Sequence, residues 1–318
     1  MKSHTLSVFL TLAIGVFAAP FNVTISDRST SLGCGSKPSQ SEIQVMEASF
    51  QDLLHADEES RRMPPITWVH PDPPPHPPVP PKKRTVKVVW HNIYATTPTG
   101  NVGYLSDDVI NKQMAVLNGD YSGLFTFKLT KLNRVNNNDW HDHVDVGNAL
   151  EQTMKKQLRV GGAETLNVYS VGLQTSQFLG YSSFPQNYNG NKLNDGILIT
   201  YDVLPGGKWT QYNIGRTLTH EVGHWTGLYH VFEGGCSDGD GLTDTPPQGT
   251  ETRGCPTGKD SCPGGGVDSI HNYMDYSDDE PVYWPTEDKD VPAVQSLPRH
   301  QPRIIQRSGS ATIIYGLL

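Results

Sequence analysis

Eleven residues, His220-Glu221-Val222-Gly223-His224-Trp225-Thr226-Gly227-Leu228-Tyr229-His230, constrain this chain more than any other stretch. His220 and His224 are four apart, so on a helix both imidazoles leave the same face one turn apart. That places two ring nitrogens where one tetrahedral Zn2+ accepts both. Glu221 lies beside them and can reach a water on the metal without ligating it. Gly227 lacks a Cβ and can take the left-handed conformation that ends a helix, and the turn brings His230 back as third ligand. The fourth position is left for water, which separates a catalytic zinc site from a closed structural one. His220, Glu221 and His224 alone are only suggestive; Gly227 and His230 make the pattern specific. The flanking sequence suits a helix, with Asn213 as a candidate cap and Ile214, Leu218 and Val222 as an apolar face.

Only part of the 318 residues reads as a folded domain around that helix. Residues 1–19 set Lys2 ahead of an apolar run from Leu6 to Phe17, with Ala18 and Ala19 behind it. This is the layout of a secretory signal peptide. The run is too short to span a bilayer, which takes about 20 residues, and no later stretch is suited to it. A secreted, extracellular protein whose cysteines can oxidise is expected. Asn22, in Asn22-Val23-Thr24, is the one glycosylation sequon. Residues 20–84 read as a pro-segment and linker: one amphipathic helix candidate, Ser41 to Ser60, then a stretch in which ten of residues 64–81 are proline. Proline fixes φ and lacks an N–H, so that stretch forms neither helix nor sheet interior. It ends at Lys82-Lys83-Arg84, a site suited to a secretory-pathway protease, so loss of everything before Thr85 is expected. An ordinary charged linker end is the alternative.

From Thr85 the pattern alternates. Thr85–Tyr94, Phe125–Leu132, Leu166–Leu173 and Ile197–Tyr201 read as strands, with Phe178–Phe184 as a short edge strand. Leu105–Tyr121 and Val144–Val160 read as helices, the first announced by Ser106, Asp107 and Asp108. The order gives an α/β layer on a twisted sheet. Lys+Arg 25 against Asp+Glu 33, a net charge of −8, argues against a general binder of nucleic acid or anionic membrane.

Downstream lies Asn272-Tyr273-Met274-Asp275-Tyr276. With the long zinc motif, this resembles the metzincin metalloproteases, whose signature continues into a tight methionine-containing turn. More narrowly, HEVGHWTGLYHVFEGGC, GDGLTDTP, DSCPG and NYMDYSDD resemble the pappalysin family and its secreted fungal branch, over roughly Val86–Asp279. The resemblance implies a metzincin-like catalytic domain at 85–279: a twisted, mostly parallel sheet, an active-site helix, and a loop-rich lower subdomain containing the Met turn. It implies Met274 as an apolar floor under the histidines and Tyr276 as a side chain pointing at the metal. Zinc would then acidify its water and polarise the scissile carbonyl, Glu221 would act as general base and Tyr276 would donate to the oxyanion. Protein or peptide substrates, adding along Gly180–Ser183 as an extra strand, and a monomeric enzyme are expected.

By the same resemblance Cys236 pairs with Cys262, while Cys255 lacks the partner the family pattern would supply after the Met turn. Some relatives bind Ca2+ here, and Asp238, Asp240 and Asp244 offer carboxylates for it; the stretch lacks the EF-hand pattern, and solvated loop carboxylates are the alternative. Cys34, in Gly33-Cys34-Gly35, can fill the open zinc position and keep a zymogen latent, as in some metzincins; a free or mispaired thiol is the alternative. Residues 280–318 carry prolines at 281, 285, 292, 298 and 302, no helical period and no cysteine. They resemble the product of a frame change or unspliced intron more than an evolved terminus. A catalytically impaired, metzincin-like secreted binding protein is therefore the competing reading.

Overall fold

The β-branched and aromatic residues after the linker pair into a sheet that the zinc-motif helix crosses on one face. The computed structural model describes residues 33–48 and 84–279 except 123, 175, 243 and 244, all within one unit, Leu32–Leu318. The signal-peptide reading, Asn22, the proline-rich linker, Asp244 and the 280–318 tail lie outside the described residues.

In chain order the elements are β1 (Gly33–Cys34), a helix α1 over 40–48, β2 (Arg84–Thr97), β3 (Gly100–Val102), α2 (Asp107–Asp120), β4 (Phe125–Asn136), α3 (Asn138–His143), α4 (Ala149–Leu158), β5 (Thr165–Val171), β6 (Phe178–Ser182), β7 (Ile197–Thr200), α5 (Arg216–Trp225) and α6 (Gly235–Asp238). The sheet runs β1-β6-β7-β5-β2-β3, with β4 also on β2. Strands β4, β2, β5 and β7 are mutually parallel and β6 is antiparallel to β7. Beyond β6, β1 from the N-terminal segment adds in parallel, Gly33 opposite Phe178 and Cys34 opposite Gly180.

Alternation along the strands divides the core between two faces. Val168, Ile197 and Ile199 point to the face covered by α2 (Ile110, Met114, Leu117) and α5 (Leu218, Val222). Their neighbours Tyr169 and Leu198 point to the opposite face, with Trp140, Val144 and Met154. Burying each of these side chains stabilises by about 1.5–3 kcal/mol. A third, small cluster seats Met46 and Ile43 of α1 on Phe184 and Tyr229. The start of α1 is fixed by a capping box in which Ser39 and Glu42 bond each other's backbone N–H.

Three local expectations are corrected. The helix expected from Val144 starts at Ala149, capped by Asn148 Oδ1 on Glu151 N at 2.9 Å. The short α3 before it, capped by Asn137, was not foreseen. The cap of α5 is not Asn213, whose amide donates to Gly207 O at 2.7 Å. Gly215 holds that position at φ +97°, and Asp279 Oδ2 accepts Ile214 N at 3.0 Å and Arg216 N at 3.3 Å in place of a local cap.

Candidate metal centre

Every residue of α5 after Arg216 is buried, including Thr219, His220, Glu221 and His224. A buried polar side chain must find a partner or pay its desolvation cost, and each histidine has one. His220 Nδ1 donates to Tyr273 O at 2.6 Å, His224 Nδ1 to Leu228 O at 2.7 Å, and His230 Nδ1 to Glu233 Oε2 at 2.7 Å. With each Nδ1 proton directed outward, the Nε2 lone pairs face one another: His224 Nε2 stands 3.1 Å from those of both His220 and His230. Ligands of a tetrahedral ion at 2.0–2.1 Å are about 3.3 Å apart, so the spacing suits one zinc-sized cation. Burial holds the imidazoles neutral, His220 pushed down to about 4 and the other two well below their usual value, where the neighbouring histidines add to the effect. Gly227, at φ +103°, makes the turn that returns His230 to the other two.

The N-terminal segment enters this centre. Cys34 Sγ and one nitrogen of each histidine all lie within 4.8 Å of one another, the one such ligand cluster among the described residues. Burial, then the Glu221 charge, pushes the Cys34 thiol well up. Ser36, buried two residues on, bonds three ways. Its hydroxyl donates towards Ser182 O at 3.1 Å and Glu221 Oε2 at 3.3 Å, and accepts Ser182 N at 2.7 Å. Among the described residues Glu221 Oε1 has no hydrogen-bond partner; burial pushes this carboxyl up to about 8, against the hydrogen bonds of Cys34 and Ser36. The Tyr276 hydroxyl donates to Cys34 O at 3.4 Å and stands 3.2 Å from His230 Nε2.

Beneath the helix, a Cβ on Gly223 would lie 2.3 Å from Met274 Sδ, so a side chain there would push the methionine from its seat. An open cavity of about 590 Å³ adjoins His220, walled by Thr217, Tyr273, Tyr276, Asp278 and Asp279. Sequence reasoning missed Ser36, Glu233 and Asp279. Strand alternation from Cys34 would have flagged Ser36, and the turn after His230 would have flagged Glu233. Nothing local points from Asp279 to a helix 63 residues earlier.

Away from the centre, Cys236 and Cys262 form a disulfide across 26 residues, with Cα atoms 5.3 Å apart. Cys255 and Cys34 are in no disulfide. Asp240 is buried and accepts Leu242 N at 3.0 Å, whereas Asp238 is exposed at the end of α6. Among the described residues no helix is long and apolar enough to cross a membrane.

This chain is similar to known proteins. The family described as Peptidase_M43, pregnancy-associated plasma protein-A, matches residues 199–290. An extracellular metalloprotease of Arthroderma gypseum is 48% identical over 202 residues, 61% of this chain and 67% of that protein; the match thus spans about two thirds of that relative. An extracellular metalloprotease of Podospora anserina is 39% identical over 275 residues, 84% of this chain and 87% of that protein. Mature mirolysin of Tannerella forsythia, solved with a cleaved peptide, superposes with a TM-score of 0.51 at 27% identity, covering 63% of this chain and 86% of that one. A promirolysin mutant from the same organism shares the fold with a TM-score of 0.56 at 24% identity, covering 83% and 92%.

Proposed function

We start from the fact that this chain belongs to peptidase M43, the pappalysin family of metalloproteases, and we propose that it is a secreted zinc endopeptidase that hydrolyses peptide bonds of extracellular proteins. The observation that carries this reading is the convergence of three Nε2 atoms, every Nδ1 proton engaged elsewhere, beside the buried Glu221 carboxylate. Relatives named extracellular metalloproteases support the same class and location. His220, His224 and His230 would hold the ion. Zinc there supplies Lewis acidity, bringing the pKa of water toward neutrality and polarising a carbonyl.

The chain's own groups do the rest. Glu221 takes the proton of the attacking water and returns it to the leaving amine. Its Oε1, without a hydrogen-bond partner among the described residues, is the acceptor for that proton. The Tyr276 hydroxyl donates to the developing oxyanion; its contact with Cys34 O puts a carbonyl of the N-terminal segment where a substrate carbonyl would lie. The edge of β6, through Gly180–Ser183, binds extended peptide by backbone hydrogen bonds, and the cavity beside His220 takes a side chain. Met274 floors the helix.

The segment carrying Cys34 keeps the precursor silent. Its thiol, as thiolate, would join the three histidines in holding zinc, and β1 occupies the β6 edge that substrate needs. Cleavage at Arg84, the first residue of β2, would release it. Calcium at Asp238, Asp240 and Asp244 is proposed as a second, structural ion, to be read as a rise in thermal midpoint on adding the salt. Metal analysis of the purified protein tests the main reading. One zinc per chain, lost in His224→Ala, is expected; a zinc-free wild type, or zinc retained by that variant, overturns it.

A further inference from the structure

The three histidines are not oriented alike. His224 and His230 donate to acceptors four and three residues further along the same turn, Leu228 O and Glu233. His220 alone depends on a distant segment, the carbonyl of Tyr273, 53 residues away. What fixes that segment against α5 is the carboxylate of Asp120, the last residue of α2, which is 2% exposed. Its Oδ1 is ion-paired with Arg216 and accepts the Tyr273 hydroxyl at 3.1 Å. Its Oδ2 accepts the Thr219 hydroxyl at 2.5 Å. The Arg216 guanidinium also lies over the Tyr273 ring, 5.4 Å from its centre, and Tyr121, beside Asp120, donates to Thr219 O at 3.0 Å.

One buried carboxylate therefore grips both sides of His220: Thr219, which precedes it on the helix, and Tyr273, whose carbonyl aims its ring. We propose that Asp120 is a positioning residue for the metal centre, acting through Tyr273 to hold the His220 imidazole with Nε2 toward the ion. This rests on the reading that the three histidines hold zinc. Such outer partners orient a ligand and fix its tautomer, and their loss typically weakens metal affinity 10–100-fold. Asp120 touches neither metal nor substrate, and nothing near it in sequence marks it.

The test compares zinc affinity, by graded chelator competition on the full chain, with thermal midpoint. The variants are Asp120→Asn, Tyr273→Phe and their double. Met154→Ala, in the core on the other face of the sheet, serves as a control destabilised without touching this network. Each single variant should bind zinc about tenfold more weakly or worse, and the double should lose little more than the larger single, because both act on one bond. Met154→Ala should lose midpoint but keep its zinc affinity. Wild-type affinity in Tyr273→Phe, additive losses in the double, or an equal loss in Met154→Ala overturns the assignment. If Asp120→Asn does not fold, Tyr273→Phe against Met154→Ala decides. A wild type that takes up no zinc instead overturns the underlying metal reading, and this proposal with it.

Discussion

Ser36 Oγ lies 3.3 Å from Glu221 Oε2 while bonding both backbone groups of Ser182. One hydroxyl of the N-terminal segment thus engages the proposed general base and the proposed substrate-binding edge together. A hydrogen bond contributes about 0.5–1.5 kcal/mol net. Ser36→Ala should raise the activity of the uncleaved precursor several-fold, up to about tenfold, and Cys34→Ser should raise it further, with the cleaved enzyme unchanged. Casein hydrolysis by uncleaved precursors reads this out. Two variants as silent as wild type would remove the segment from latency.

Glu221→Gln keeps the size of the side chain and removes its capacity to take a proton. General-base loss costs about 10²–10⁴ in rate. Hydrolysis by the cleaved form should fall by at least the lower figure with zinc content unchanged. Proteolysis within a few fold of wild type would rule out the assigned role.

Gly223→Ala drives a Cβ to within 2.3 Å of Met274 Sδ. Overpacking of this kind costs about 1–3 kcal/mol. A lower denaturant midpoint at unchanged slope is expected, and an unshifted midpoint would show that the methionine is not held against the helix.

How much of this was legible in the sequence follows from how local each determinant is. The convergence of His220, His224 and His230 was readable because four-residue spacing and the turn at Gly227 are local to that stretch of chain. Helix α2 was readable for the same reason, its cap and apolar period being contiguous. The start of α4 was misplaced because Val144 and Val146 continue an apolar period. Val144 in fact fills the second core as extended chain, and the turn at Gly147, φ +79°, precedes the true cap. The carboxylate of Asp279 at the start of α5, the brace at Asp120 and the reach of Ser36 to Glu221 all join residues that only the tertiary fold brings together. No period or spacing encodes them.

His91 gives the fold an acid-sensitive point away from the metal. It is fully buried, its Nε2 donating to Asn167 Oδ1 at 3.1 Å and its Nδ1 accepting from Asn133 Nδ2 at 2.9 Å. Protonation would set a second N–H against the Asn133 amide. Burial pushes the imidazole from 6.5 down to about 4, against the Asn167 hydrogen bond and with a further push from Lys131. The unfolded chain therefore binds the extra proton first, and stability present above pH 6.5 is lost as pH falls toward 4. At 1.36 kcal/mol per unit this amounts to about 2 kcal/mol by pH 5. His91→Gln should flatten that part of the stability–pH curve, measured by denaturant unfolding at pH 7 and pH 5; parallel curves for the two proteins would contradict it.

The central claim, that the three-histidine centre hydrolyses peptide bonds once the N-terminal segment is gone, meets its most direct test in one assay. Casein hydrolysis is measured on chain cleaved at Arg84, with a zinc chelator, and again after zinc is restored. Hydrolysis that stops with the chelator and returns with zinc is the predicted result. Hydrolysis indifferent to the chelator, or no hydrolysis by zinc-loaded cleaved protein, would contradict it.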